Sequence, residues 1–87
     1  MFRTILLMMT ALLMVTSAEA GPQEDCEQSH DLRRVISGCT QVLKKHPDDA
    51  RVHTLRGYAY LETHEPKLAI ADFDMAIALD PTYKRSQ

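Results

Sequence analysis

The sequence predicts an all-α protein of three helices, in which the last two helices form an antiparallel helix–turn–helix. Apolar residues recur at intervals of three and four after position 31, which is the spacing of one helix face. Pro47 and Pro81 each follow a similar apolar pattern, so the chain contains an internal repeat. Since the residue before a proline is pushed out of the helical region, each proline indicates the end of a helix.

Before the helices, residues 1–20 have the three parts of a secretory signal peptide. Arg3 supplies the positive start, residues 4–15 are mostly apolar, and Ala18 and Ala20 form a small-residue cleavage site. The apolar run is shorter than the roughly 20 residues that span a bilayer, which disfavours a membrane anchor. We therefore expect a cleaved, exported protein that is secreted or periplasmic.

The first helix is predicted by an apolar stripe that begins at Leu32 and ends at Leu43. Asp31 precedes this stripe as an N-cap, and Lys44 and Lys45 suit the negative end of the helix dipole.

The second helix is predicted over residues 50–63, with Asp48 or Asp49 as its N-cap. The third helix begins at Pro66, since a proline fits the first helical position, where its missing amide hydrogen is not needed. It ends before Pro81.

Small and large residues at fixed places in segment 57–81 specify how the last two helices pack. They are Gly57, Tyr60, Ala69, Phe73, Ala76 and Pro81. This pattern resembles the tetratricopeptide repeat, a helix pair of about 34 residues. The resemblance implies a role in protein binding with no catalysis. His53 and Arg56 depart from the pattern, which usually has a large aromatic residue and a leucine there.

The alignment that places Pro47 on Pro81 also places the apolar residues of the first helix on those of the third. The first helix thus resembles the second half of an earlier repeat whose first half is missing, so we expect about one and a half repeats. The predicted parts are the signal peptide (1–20), an N-terminal segment (21–31), a helical repeat domain (32–81) and a C-terminal tail (82–87).

Cys26 and Cys39 are the only two cysteines. An exported chain meets an oxidising compartment, so we predict an intramolecular disulfide, with two free thiols or pairing between chains as alternatives. In the alignment Cys39 takes the place of Phe73, which in this family faces the partner helix of its own repeat. A bridge would then tie the N-terminal segment over the first helix, and closing that loop should contribute about 3 kcal/mol.

No residue pattern predicts catalysis, a cofactor or a metal site. The four histidines lack the spacing of metal ligands. Asp72 and Asp74 diverge by about 200° on a helix and are expected on a solvated face. The 10 basic and 12 acidic residues nearly balance, and no basic block predicts nucleic-acid binding. After cleavage of the signal peptide we expect no membrane segment.

The resemblance implies partner binding on the inner face of the second helix. The candidate residues are Arg51, Thr54, Leu55, Tyr58, Leu61 and Glu62. Tyr58 is the strongest of them as an aromatic anchor, and the alternative is that it shields the helix pair. Ile70 and Ile77 lie where a following helix would pack, so we expect another protein or a second copy there.

The sequence therefore favours a non-enzymatic, exported module that binds another protein or itself. A bacterial source is implied by resemblance to short secreted repeat proteins. One alternative is a disulfide-stapled secreted effector or inhibitor, in which the N-terminal segment acts and the repeat is a scaffold. The other is a truncated remnant of a longer array of repeats.

Overall fold

A computed structural model describes residues 21–82, and this part of the chain is all α-helical. The predicted signal peptide and residues 83–87 of the predicted tail lie outside the described residues. No helix within residues 21–82 is long and apolar enough to cross a membrane. The four helices are α1 (Pro22–Gln28), α2 (Leu32–Lys45), α3 (Ala50–Glu62) and α4 (Pro66–Leu79).

The ends of α2, α3 and α4 follow the signals in the sequence. The Asp31 carboxylate accepts a hydrogen bond from the Arg33 amide at 3.0 Å, and Asp49 caps α3 in the same way. Pro66 occupies the first turn of α4. The turn before it is tightened by His64, whose φ of 63° lies in the left-handed region that usually takes glycine at a helix C-terminus.

Helix α1 is the element that the sequence analysis did not predict. It packs against α2, and the disulfide between Cys26 and Cys39 joins the two helices. The alignment of Pro47 with Pro81 places α1 on residues 56–62, the second half of α3. A seven-residue helix therefore lies where we expected the first half of an earlier repeat to be missing, and the expectation of three helices was wrong.

The core lies between α1, α2 and the start of α3. Both disulfide sulfurs are inside it, since Cys26 is 2% exposed and Cys39 is fully buried. The buried cluster consists of Cys26, Cys39, Val42, Leu43 and Val52, with Val35 and Leu55 packed against it. On the other side of α3, the side chains of Ala59, Ala69 and Ala76 are buried, and α4 packs along α3.

Two glycines set the helix-to-helix distances. A Cβ atom on Gly38 would lie 2.6 Å from the Pro22 carbonyl oxygen and 2.7 Å from the Cys26 amide nitrogen, both in the backbone of α1. A Cβ atom on Gly57 would lie 2.7 Å from the Phe73 ring. Backbone cannot yield without moving a helix, whereas the half-buried ring of Phe73 can shift.

We expect Gly38→Ala to lower the free energy of unfolding by about 2 kcal/mol, because overpacking against a backbone displaces the neighbouring helix. Gly57→Ala is the matched comparison, and we expect a smaller loss from it, since the gain of about 1 kcal/mol in helix propensity is the same at both sites. Urea denaturation of the two variants measures this difference. Equal effects, or stabilisation by Gly38→Ala, would show that α1 is not held against Gly38.

Candidate protein-binding surface

The outward face of α3 carries most of the residues expected to contact a partner. Arg51, Tyr58, Leu61 and Glu62 are exposed, and Leu55 is half-buried against the core. Thr54 is different: it is only 4% exposed, and its hydroxyl donates to the Ala50 carbonyl oxygen at 3.0 Å. Its side chain lies inside the fold instead of on the surface that we expected.

Tyr58 is held by an aromatic neighbour while part of its side chain is open to solvent. Its ring meets the Phe73 ring edge-on, with the centroids 5.1 Å apart and the planes at 68°. Tyr58 is nevertheless 47% exposed. Tyr58 therefore covers part of the α3–α4 pair, as one of the two alternatives predicts, while part of its ring remains exposed.

An ion pair between Arg51 and Glu27 connects this face of α3 with α1. The side-chain hydrogen bond from Arg51 lowers the pKa of Glu27 below its ordinary value. Any stability that the pair contributes is therefore present above the pKa of the unfolded chain, and it is lost as the pH falls through the lowered pKa. Because both side chains are partly exposed, solvent and salt weaken the pair.

Beneath this surface, Asp72 anchors a buried polar network, so the expectation of a solvated Asp72 was wrong. The residue is only 3% exposed. Its carboxylate accepts two hydrogen bonds from Arg56, from Nε at 2.7 Å and from Nη2 at 2.8 Å. Such a two-pronged arginine–carboxylate contact fixes geometry as well as charge. Asp74, two residues further on, is exposed as expected.

His53 and Arg56 extend the network to the other helices. The Nδ1 atom of His53 lies 3.0 Å from an Asp72 carboxylate oxygen, and its Nε2 atom lies 2.9 Å from the Pro47 carbonyl oxygen. Arg56 also donates to the Thr40 hydroxyl at 3.1 Å. The side-chain hydrogen bond to Asp72 raises the pKa of Arg56, against the opposing effect of burial.

His53 and Arg56, which depart from the repeat pattern, both contact Asp72 on α4. His53 and Arg56 are three residues apart on α3 and lie on one helix face, opposite Asp72. In the sequence, the signal for this buried network was the pair of polar residues His53 and Arg56, at i and i+3 on an otherwise apolar helix face. The Arg56 guanidinium also lies 5.7 Å from the centroid of the Tyr60 ring.

Within residues 21–82, no group of three potential ligand side chains could hold a metal ion. Every buried side-chain nitrogen or oxygen atom described in this region has a hydrogen-bond partner. In this part of the chain, the exposed side of α3 therefore lies over a network of polar side chains that are all hydrogen-bonded.

Comparison with known proteins identifies the α3–α4 hairpin. A search against solved structures returns no match. The family model of the tetratricopeptide repeat matches residues 50–83. This match covers both helices and the positions of Gly57, Phe73 and Pro81 in one unit. Residues 50–83 of this chain are therefore similar to a tetratricopeptide repeat.

Proposed function

We propose that this protein is a non-enzymatic module that binds a segment of another protein on the outward face of α3 and the adjoining part of α1. Tetratricopeptide repeats generally mediate protein–protein interaction, and the family is typically not enzymatic. Stacked repeats of this kind form extended concave surfaces that bind other proteins.

The observation that carries the proposal is the position of Tyr58. Its ring is 47% exposed, and contact with Phe73 already restricts its orientation. A tyrosine that is fixed before binding loses little conformational entropy and offers a large contact area. Leu61 lies three residues later and is 45% exposed, so the two side chains form one apolar anchor site.

Both basic and acidic residues surround this anchor site. Arg51 and Glu27 form their ion pair two turns before Tyr58, and Glu62 lies one turn after it. A polar rim around a small apolar centre is the usual anatomy of a protein interface. We infer that the ligand is a peptide segment with an apolar side chain flanked by polar or charged residues.

We also propose that the protein acts after export, in a periplasm or outside the cell. The support is the signal-peptide pattern of residues 1–20 together with the disulfide between Cys26 and Cys39, since disulfides persist in oxidising compartments.

Because α1 is packed against the rest of the fold, we favour binding by the repeat over the alternative in which the N-terminal segment acts by itself. Cys26 is buried and bonded to α2, and Glu27 is paired with α3. Cys26 and Glu27 of the N-terminal segment therefore contribute to the fold.

The test is capture from the envelope fraction of the exporting cell, followed by calorimetric titration of the captured protein. We expect Tyr58→Ala to weaken binding by roughly 30-fold or more, as truncation of an interface anchor costs about 2 kcal/mol. Leu68→Ala is the matched control, because Leu68 is also 47% exposed but lies on α4. Equal affinities of the two variants would contradict the proposal.

A further inference from the structure

His53 is the one buried histidine within residues 21–82, and both of its ring nitrogens face oxygen atoms. Its Nδ1 atom lies 3.0 Å from a carboxylate oxygen of Asp72 on α4. Its Nε2 atom lies 2.9 Å from the carbonyl oxygen of Pro47, in the connection between α2 and α3. The side chain of His53 therefore bridges α4 and this connection.

Neither of the two oxygen atoms can donate a proton to the ring. A proline carbonyl oxygen only accepts hydrogen bonds. Both carboxylate oxygens of Asp72 already accept from Arg56, one from Nε and the other from Nη2, so the carboxylate acts as an acceptor on both sides. Each ring nitrogen of His53 must then donate. An imidazole ring donates from both nitrogens only as the imidazolium, which carries two protons and a positive charge.

The neutral ring of His53 satisfies only one of the two oxygen atoms. It keeps a proton on one nitrogen, and the lone pair of the other nitrogen then faces an oxygen atom within hydrogen-bond distance. Because a hydrogen bond to a charged acceptor is stronger than one to a neutral acceptor, the neutral ring keeps its proton on Nδ1, towards Asp72. Loss of the second proton therefore breaks the contact with Pro47 and leaves the contact with α4 in place.

We propose that His53 is a pH-dependent switch that couples the α3–α4 pair to the connection from α2. Histidine is the side chain that changes charge between about pH 5 and 8. At the acid end of this range the imidazolium makes both contacts. As the pH rises the ring loses its second proton, and the contact with Pro47 is lost. The stability that this contact contributes is therefore present at low pH and lost as the pH rises.

The charged groups around His53 act on this proton in opposite directions. From α4, the negative charge of Asp72 favours the imidazolium, whereas the positive charge of Arg56 on α3 and the burial of the ring disfavour it. The group from α2 that joins this network is the neutral Thr40 hydroxyl, which accepts from Arg56. The connection carries three titratable side chains, namely His46, Asp48 and Asp49. The Asp49 carboxylate is engaged in the N-cap of α3, and the other two side chains are exposed.

Thermal unfolding at about pH 5 and about pH 8 tests the switch, with His53→Gln as the comparison. Glutamine has one donor group and one acceptor group, so it mimics the neutral ring and does not titrate. We expect the melting temperature of the wild-type chain, relative to that of His53→Gln, to be at least about 5 °C higher at the lower pH. His46→Gln is the matched control, because His46 is exposed, and it should keep the full pH dependence.

Nuclear magnetic resonance of the wild-type chain shows which contact is lost. We expect both ring nitrogens of His53 to carry protons at about pH 5, and only Nδ1 to carry one at about pH 8. The resonance of the Pro47 carbonyl carbon should shift over the same range.

Three outcomes would overturn the proposal. One is a single protonation state of His53 at both pH values. Another is a difference in melting temperature between the wild-type chain and His53→Gln that does not depend on pH. The third is a neutral ring that keeps its proton on Nε2, since the contact with Asp72 would then be lost in place of the contact with Pro47.

Discussion

Replacement of both disulfide cysteines, Cys26→Ala with Cys39→Ala, is expected to lower the free energy of unfolding by about 3 kcal/mol. The bridge closes a loop across a sequence separation of 13 residues, so its loss restores chain entropy to the unfolded state. A core of this size rarely supplies more than about 3–5 kcal/mol in total. We therefore expect the double variant to be largely unfolded at room temperature or to lose cooperative unfolding.

Urea denaturation followed by circular dichroism measures this effect. Both cysteines are almost completely buried, so the double variant loses packing as well as the covalent bond. Reduced wild-type protein is the matched control, since it keeps both side chains and loses only the bond. If the double variant unfolds at the same urea concentration as the oxidised protein, the disulfide does not hold the fold together.

The helices that end at strong local signals could be predicted from the sequence. Asp31 and Asp49 cap α2 and α3, and Pro66 opens α4, as their positions indicate. The contact between Gly57 and Phe73 follows from the same repeat pattern. These features depend on neighbours within a few residues or within one repeat, and a family pattern encodes them.

Helix α1 could not be predicted because its own sequence contains little that favours it. Its seven residues are mostly polar, and Cys26 is the only one of them that is buried. An isolated helix of this length is unstable in water. Its stability comes from α2, through the disulfide and the close approach at Gly38. The sequence indicated the position of the bridge but not the helix that carries it.

The polar network was missed for a related reason. A charged residue in a single sequence is expected on the surface, and the burial of Asp72 depends on partners 16 and 19 positions away. Only the packing of α4 on α3 brings Arg56 and His53 to the same carboxylate. The same contact explains why two residues that depart from the repeat pattern leave the fold intact.

This network gives the second large prediction: Asp72→Ala should lower the free energy of unfolding by about 3 kcal/mol or more. The substitution leaves the half-buried Arg56 without its carboxylate, and the buried His53 loses one of its two partners. Asp74→Ala is the matched control, two residues away on the same helix and exposed. The change in helix propensity is the same in both variants, so we expect the control to change stability by less than about 0.5 kcal/mol.

A double-mutant cycle with Arg56→Met separates the ion pair from the loss of packing. Because Arg56→Met removes the charge that Asp72→Ala would strand, the combined variant should cost less than the sum of the single variants, by about 1–3 kcal/mol. His53 also loses its contact with Asp72, which Arg56→Met does not restore, so part of the loss should remain in the combined variant. Additive losses would mean that Asp72 and Arg56 stabilise the fold independently, and that the contact between them contributes nothing.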